Sequence, residues 1–417
     1  MTRQPGGQDD GFRERAQRLD ADDPLARYRE RFVIGDPDTI YLDGNSLGRL
    51  PLATRDRLRE VVEVQWGHDL IHGWDRWLDL ARQVGDLLAP VLGAGPGEVV
   101  LSDSTSVNLH KLVNAALDAR PGRSVIVTDD DNFPTDLYIL QGVATARDAT
   151  LRVVSAGADV QQAIGPDVAV VCLSHVAYRS GRVADLAGIT LATHQVGALA
   201  LWDLCHSAGA VPVGLADAGV DLAVGCTYKH LNAGPGSPAF LYVRRDLQPR
   251  LRQPIWGWFG QLDQFAMDPE YDPVPDIDRF LVGTPPVLGG YAALEGVRLT
   301  AEAGIDAIAA KCGKLGSYAI ELTDAWLARH DFALDSPRED ARRGGHVTVR
   351  HPQAWQVCQA LAAARVIADF RAPDHLRLGL PALYTRFVDV HTALYRLREI
   401  VATGRHLTFP AERGRIT

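Results

Sequence analysis

Residues 198–243, ALALWDLCHSAGAVPVGLADAGVDLAVGCTYKHLNAGPGSPAFLYV, decide the fold. Three apolar runs, 198–202, 222–225 and 239–243, are short, rich in Ala, Val and Leu, and bounded by Gly, Pro and Asp. That pattern predicts strands covered on both faces. Asp203 and His206 follow the first run, and Tyr228 and Lys229 follow the second. Open α/β sheets bind ligands outside the carboxyl ends of their strands, so both clusters point at one crevice. That crevice holds a carboxylate, an imidazole, a phenol and an amine.

The amine is informative because lysine is scarce. The chain has only Lys111, Lys229, Lys311 and Lys314 against 39 arginines (43 basic residues less four). Guanidinium keeps its charge, so arginine cannot serve where an amine must lose its proton and attack a carbonyl. Schiff-base chemistry is such a case. A solvated loop lysine is the plainer alternative, but Lys229 stands between apolar runs and a Gly-Pro-Gly turn, which favours the Schiff base.

Working outward, strands and helices alternate. The runs VVLSDSTS (99–106), SVIVTDD (124–130), LRVVSA (151–156) and VAVVCLSH (168–175) lead into the deciding stretch, with helices over about 107–119 and from about 135. Such alternation predicts an α/β class and a mainly parallel sheet with helices on both faces. Upstream, residues 1–11 read as disordered and 12–32 as helical, with a restart near Asp20–Pro24. A short strand and Gly-Asn turn follow at 39–51, then an amphipathic helix at 53–66, then Trp74 and Trp77 as packing residues. Beyond Pro286 come a helical stretch at 290–330, short strands (FALDS, HVTVRH), a helix at 353–364 and VIADFRAPDHLRLGL. These predict a smaller α+β domain.

Composition narrows the function. A formal charge of −9 with no basic stripe argues against nucleic acid as a partner. No apolar run reaches membrane-span length, and the N-terminus lacks an apolar signal core. The five cysteines (172, 205, 226, 312, 358) form no C-x-x-C pair, which fits buried reduced thiols in a cytoplasmic protein. Cys205 stands beside His206, but no second ligand pair has zinc-like spacing, so no metal is expected. Neither G-x-G-x-x-G nor a P-loop is present where a dinucleotide or nucleotide reading requires one.

The segments TYKHLNAGPGSPAFLYV and LWDLCHSAGAVPV closely resemble kynureninases. So do YLDGNSLG (41–48), DSTSVNLHK (103–111), DNFPTDLY (131–138), GWFG (257–260), GTPPVL (283–288) and DHLRLGL (374–380). The resemblance runs from about Tyr41 to about Phe387. It implies a pyridoxal 5'-phosphate (PLP) enzyme of fold type I, with a seven-stranded-type sheet in a large domain at 41–288. It also implies a small C-terminal domain at 289–417, joined by a helical segment at 1–40.

The implied reaction is hydrolysis of L-kynurenine to anthranilate and L-alanine in tryptophan catabolism, with links to NAD biosynthesis. The resemblance implies a Schiff base on Lys229, a ring-nitrogen partner in Asp203 and proton transfer by Tyr228. For the cofactor it implies contacts from Thr105, Ser106, Phe133, Asp136, Ser174, His206, Trp258 and Thr284. Trp258 and Thr284 are implied to act across the interface of a homodimer. For the substrate it implies Arg377, Asn45 and Ser46.

Read without the resemblance, Thr105 and Ser106 fit a plain N-cap, Phe133 a core residue and Asp136 a first-turn acid. The chain departs from the family pattern at Gln261, where GWFGH reads GWFGQ, at His230, and at Pro381-Ala382-Leu383-Tyr384. Thr284 stands where animal 3-hydroxykynurenine enzymes carry Asn, which leans toward unsubstituted kynurenine. The alternatives are an enzyme for 3-hydroxykynurenine or a methylated kynurenine, another fold-type-I enzyme such as a cysteine desulfurase or aminotransferase, and a silent PLP-fold protein. A desulfurase needs a reactive cysteine on an exposed loop.

Overall fold

The computed structural model describes residues 6–155 and 158–412. The chain divides into two compact units: Met1–Leu52 with Arg179–Val183 and Ala303–Thr417, and Ala53–Tyr178 with Ala184–Glu302.

The second unit is built on a seven-stranded sheet. Its strands in chain order are β1 (Val99–Leu101), β2 (Val125–Asp129), β3 (Thr150–Val154), β4 (Val168–Ser174), β5 (Leu199–Asp203), β6 (Leu222–Gly225) and β7 (Phe240–Val243). The spatial order is β1-β7-β6-β5-β4-β2-β3, and only β7 runs against the rest. Every residue of β5, β6 and β7 is buried, as expected for near-continuous apolar runs covered on both faces. Asp203 is the last residue of β5 itself, and Tyr228 and Lys229 follow β6.

The helix Val287–Ala303 packs against the loop after Lys229. At Gly296 a side-chain carbon would fall 2.0 Å from the Leu231 carbonyl oxygen, so only glycine lets helix and loop approach this closely.

The first unit has a four-stranded antiparallel sheet of Asp369–Arg371, His375–Gly379, His346–Arg350 and Ala333–Leu334. Helices Gly6–Ala21, Ile305–Trp326, Ala354–Ala363 and Phe387–Ala402 accompany it. The helix Gly6–Ala21 corrects the reading of 1–11 as disordered from residue 6 onward, while 1–5 lie outside the described residues. Its sequence is a poor helix former alone, but tertiary packing holds it: Ala16 is fully buried and Phe12 meets Trp326 edge-on at 5.5 Å.

Two further helical readings change. The stretch 290–330 is two helices, Val287–Ala303 and Ile305–Trp326, broken at Gly304 with φ +81°. The helix expected at 53–66 is α-helical over Leu52–Glu60 and then widens into a π-helix over Val61–Trp66. The wider turn buries Gln65, which accepts from Trp77 Nε1 at 2.7 Å and donates to Glu60 at 3.0 Å.

Candidate active site

Five strands of the second unit deliver side chains from their carboxyl ends to one cavity of about 160 Å³. β1 leads into the helix Thr105–Asp118, whose N-cap is Ser104, accepting from the Val107 N–H at 3.3 Å. Capping therefore falls to Ser104, and the hydroxyls of Thr105 and Ser106 face the cavity at the positive end of a 14-residue helix.

β2 leads through Asn132 to Phe133, where the next helix begins with Pro134 at its first turn. Asn132 is buried and pins two cavity residues with one oxygen, accepting from the Phe133 N–H at 2.9 Å and the Ser174 hydroxyl at 2.7 Å. Phe133 stands edge-on to Tyr178 at 5.2 Å, with Lys229 Nζ 5.8 Å from its ring centre.

At the centre, His206 Nε2 lies 3.0 Å from Lys229 Nζ. Asp136 and Asp203 both line the wall. Burial, and then the charge of Asp203, hold the Asp136 carboxyl well above the usual carboxylate range. Its Oδ2 is buried with no hydrogen-bond partner. One Asp203 oxygen accepts from the Cys205 N–H at 2.7 Å, which fixes the carboxylate at the strand end. Burial pushes the Tyr228 phenol far up, so it remains a proton donor at any working pH.

Nine of the residues named from sequence thus share one wall: Thr105, Ser106, Phe133, Asp136, Ser174, Asp203, His206, Tyr228 and Lys229. Trp258 and Thr284 are not among its lining residues. Trp258 is partly exposed and packs edge-on to Phe259 at 4.8 Å, and Thr284 is exposed. In the first unit, Arg377, Asn45 and Ser46 form a cluster of their own. Arg377 is ion-paired with Asp369 and donates to Ser46 Oγ at 3.1 Å, and Asn45 packs against Gly379. Sequence reasoning passed over Asn132, although an Asn just before a Phe-Pro helix start is a recognisable turn signal.

A kynureninase from Pseudomonas fluorescens is 45% identical over 391 residues, covering 92% of this chain and 94% of that protein. The chain belongs to the kynureninase family. A second kynureninase, from Burkholderia pseudomallei (strain 1106a), is 45% identical over 399 residues, covering 94% of this chain and 96% of that protein. The family model for the kynureninase C-terminal domain matches residues 308–397.

Among solved structures, an apo cysteine desulfurase from Thermococcus onnurineus NA1 superposes with a TM-score of 0.76 at 19% identity, covering 88% of this chain and 95% of that one. A C-DES variant with glycine covalently linked to its PLP cofactor gives 0.77 at 19% identity, covering 89% of this chain and 99% of that one. At that identity the likeness carries the fold alone.

Proposed function

We propose that this chain is a PLP-dependent hydrolase that splits L-kynurenine, or a ring-substituted kynurenine, into an anthranilate and L-alanine. The observation that carries the reading is the buried Lys229 amine in a wall with two carboxyls and two helix-end hydroxyls, in a chain of the kynureninase family.

The donor set fits the cofactor. Thr105, Ser106 and the N–H groups of their helix suit a phosphate. Asp203 with the orphaned Asp136 Oδ2 suits a ring nitrogen that must keep its proton. Phe133 offers an apolar ring face, and Lys229 the amine that would hold the aldehyde. When bound, PLP supplies an electron sink for the bonds broken at the substrate.

The protein's own part is proton handling. His206 holds the Lys229 amine 3.0 Å away, where the freed amine can take the Cα proton. Tyr228, with its phenol kept protonated, gives a proton to the departing fragment. The resemblance assigns the substrate α-carboxylate to Arg377, whose planar fork matches two carboxylate oxygens. A desulfurase is disfavoured because all five cysteines are buried.

The same reading makes the active unit a cytoplasmic homodimer in tryptophan catabolism. Trp258 and Thr284, which the family pattern assigns to cofactor phosphate, stand away from their own chain's cavity. Trp66 (59% exposed), Phe265 (61%) and Met267 (70%) leave apolar surface for a second copy to cover.

The test is an absorbance spectrum of the purified protein before and after L-kynurenine, with anthranilate fluorescence followed in the same sample. A cofactor band and anthranilate release are expected, with the band lost in Lys229→Ala and turnover down on the order of 10³-fold. A band without anthranilate moves the substrate to 3-hydroxykynurenine or a methylated relative. No band after added PLP ends the reading.

A further inference from the structure

Cys205 and Cys226 stand opposite each other just beyond two adjacent strand ends. The parallel register pairs Asp203 of β5 with Val224 of β6, and the same offset carried two residues on sets Cys205 beside Cys226. The ladder reaches the pair, since the Leu204 N–H donates to the Val224 carbonyl at 2.8 Å. Cys226 Sγ lies 3.7 Å from the Cys205 carbonyl oxygen. Neighbouring strands run about 4.8 Å apart, inside the roughly 4.4–6.8 Å between Cα atoms that a disulfide spans.

Cys205 lines the cavity, and its Sγ lies 3.6 Å from Thr105 Oγ1. Cys226 stands two residues before Tyr228, another residue of that wall. A bond between the two sulfurs would draw the Cys205 sulfur away from Thr105, at the helix end that faces the cavity.

We propose that Cys205 and Cys226 form an oxidisable dithiol beneath the cofactor, whose disulfide leaves the chain unable to hold PLP. The consequence for PLP rests on the function proposed above. A peroxide entering the cavity meets Cys205, whose thiolate forms when the thiol proton passes to solvent water in the cavity. That thiolate attacks one peroxide oxygen, the O–O bond breaks, and hydroxide leaves behind a sulfenic acid. The second sulfur attacks the first, forming the S–S bond and expelling the sulfenic oxygen as hydroxide. The two thiol protons convert both hydroxides to water, so the dithiol is oxidised by two electrons and one peroxide is reduced. PLP held in the cavity that Cys205 lines would cover its sulfur, which would confine the reaction to the cofactor-free chain.

The test treats full-length protein with hydrogen peroxide, as PLP-loaded enzyme and after cofactor removal, and maps unreduced peptides by mass. The cofactor-free chain should give a peptide pair joining Cys205 to Cys226 with two hydrogens lost. It should fail to regain the PLP band, and dithiothreitol should restore it. PLP at 100 times its Kd should slow cross-linking about 100-fold. Cys226→Ala should give no cross-link and still rebind PLP after peroxide. Should that variant not fold, phenylarsine oxide on the parent protein should bridge the two thiols and block the cross-link.

Peroxide that leaves both thiols free, or that drives Cys205 alone to sulfinic acid, overturns the proposal, as does a cross-linked chain that still binds PLP. A chain that cross-links yet never takes up PLP overturns the cofactor reading and leaves the dithiol standing. One that takes up PLP and never cross-links overturns the dithiol alone.

Discussion

Asp43 is a carboxyl that its surroundings resist ionising. Burial, and then the charge of Asp369, push its pKa up to about 6, and its Oδ1 is buried without a hydrogen-bond partner. The sign follows from linkage. A group whose folded pKa is raised binds its proton better folded than unfolded, so its contribution is complete below the unfolded value of 3.8 and is lost as pH rises through about 6. The full shift corresponds to about 3 kcal/mol, which the partial exposure of Asp43 reduces to about 1–2 kcal/mol. Asp43→Asn removes the titration, so its stability advantage over the parent should grow by that amount between pH 4 and pH 8. Paired denaturant curves at the two pH values read the difference directly. An advantage independent of pH would mean that Asp43 ionises as freely in the folded chain as in the unfolded one.

The helix Thr105–Asp118 is aimed by a residue on its second turn. Lys111 is fully buried and its Nζ donates to Asp103 Oδ2 at 2.7 Å, Ser102 Oγ at 3.0 Å and the Phe280 carbonyl at 2.7 Å. Asp103 sits at φ +43°, a strained conformation for a side-chain-bearing residue, two positions before Thr105. The ion pair therefore holds the turn that presents the Thr105 and Ser106 hydroxyls. Lys111→Met should cost on the order of 2 kcal/mol of stability and weaken PLP binding in a spectral titration, with kcat at saturating PLP changed far less. Equal losses in affinity and kcat would point to general damage instead.

This arrangement also shows what the sequence could and could not convey. The strands of the sheet and the residues at their carboxyl ends were legible because buried strands write continuous apolar runs and strand-end polar residues interrupt them. Lys111 was legible only as a scarce residue, because its partners Asp103 and Phe280 meet it through tertiary packing. The helix Phe387–Ala402 went unread, and the first part of the helix Gly6–Ala21, up to residue 11, was read as disorder, because packing against other elements stabilises it where its own composition does not. The π-helical turn at Val61–Trp66 is likewise set by the Gln65 and Trp77 contact rather than by local preference.

At the scale of the whole molecule, the question is how many chains make one active site. The resemblance assigns Trp258 and Thr284 to cofactor phosphate across a subunit interface, and neither lines the cavity of its own chain. If a second copy completes each cavity, two defects placed on different chains can complement. Lys229→Ala removes the amine from a chain's own wall, whereas Trp258→Ala removes a group lent to the partner's. In a twofold hybrid of these two variants, one site carries both lesions and the other carries neither. Unfolding and refolding the two inactive proteins together should give about half hybrids, and therefore about a quarter of wild-type sites. Anthranilate release from the mixture, against each variant refolded alone, measures the recovery. Were each site made by a single chain, every site in the hybrid would keep one lesion and the mixture would stay as inactive as its parts.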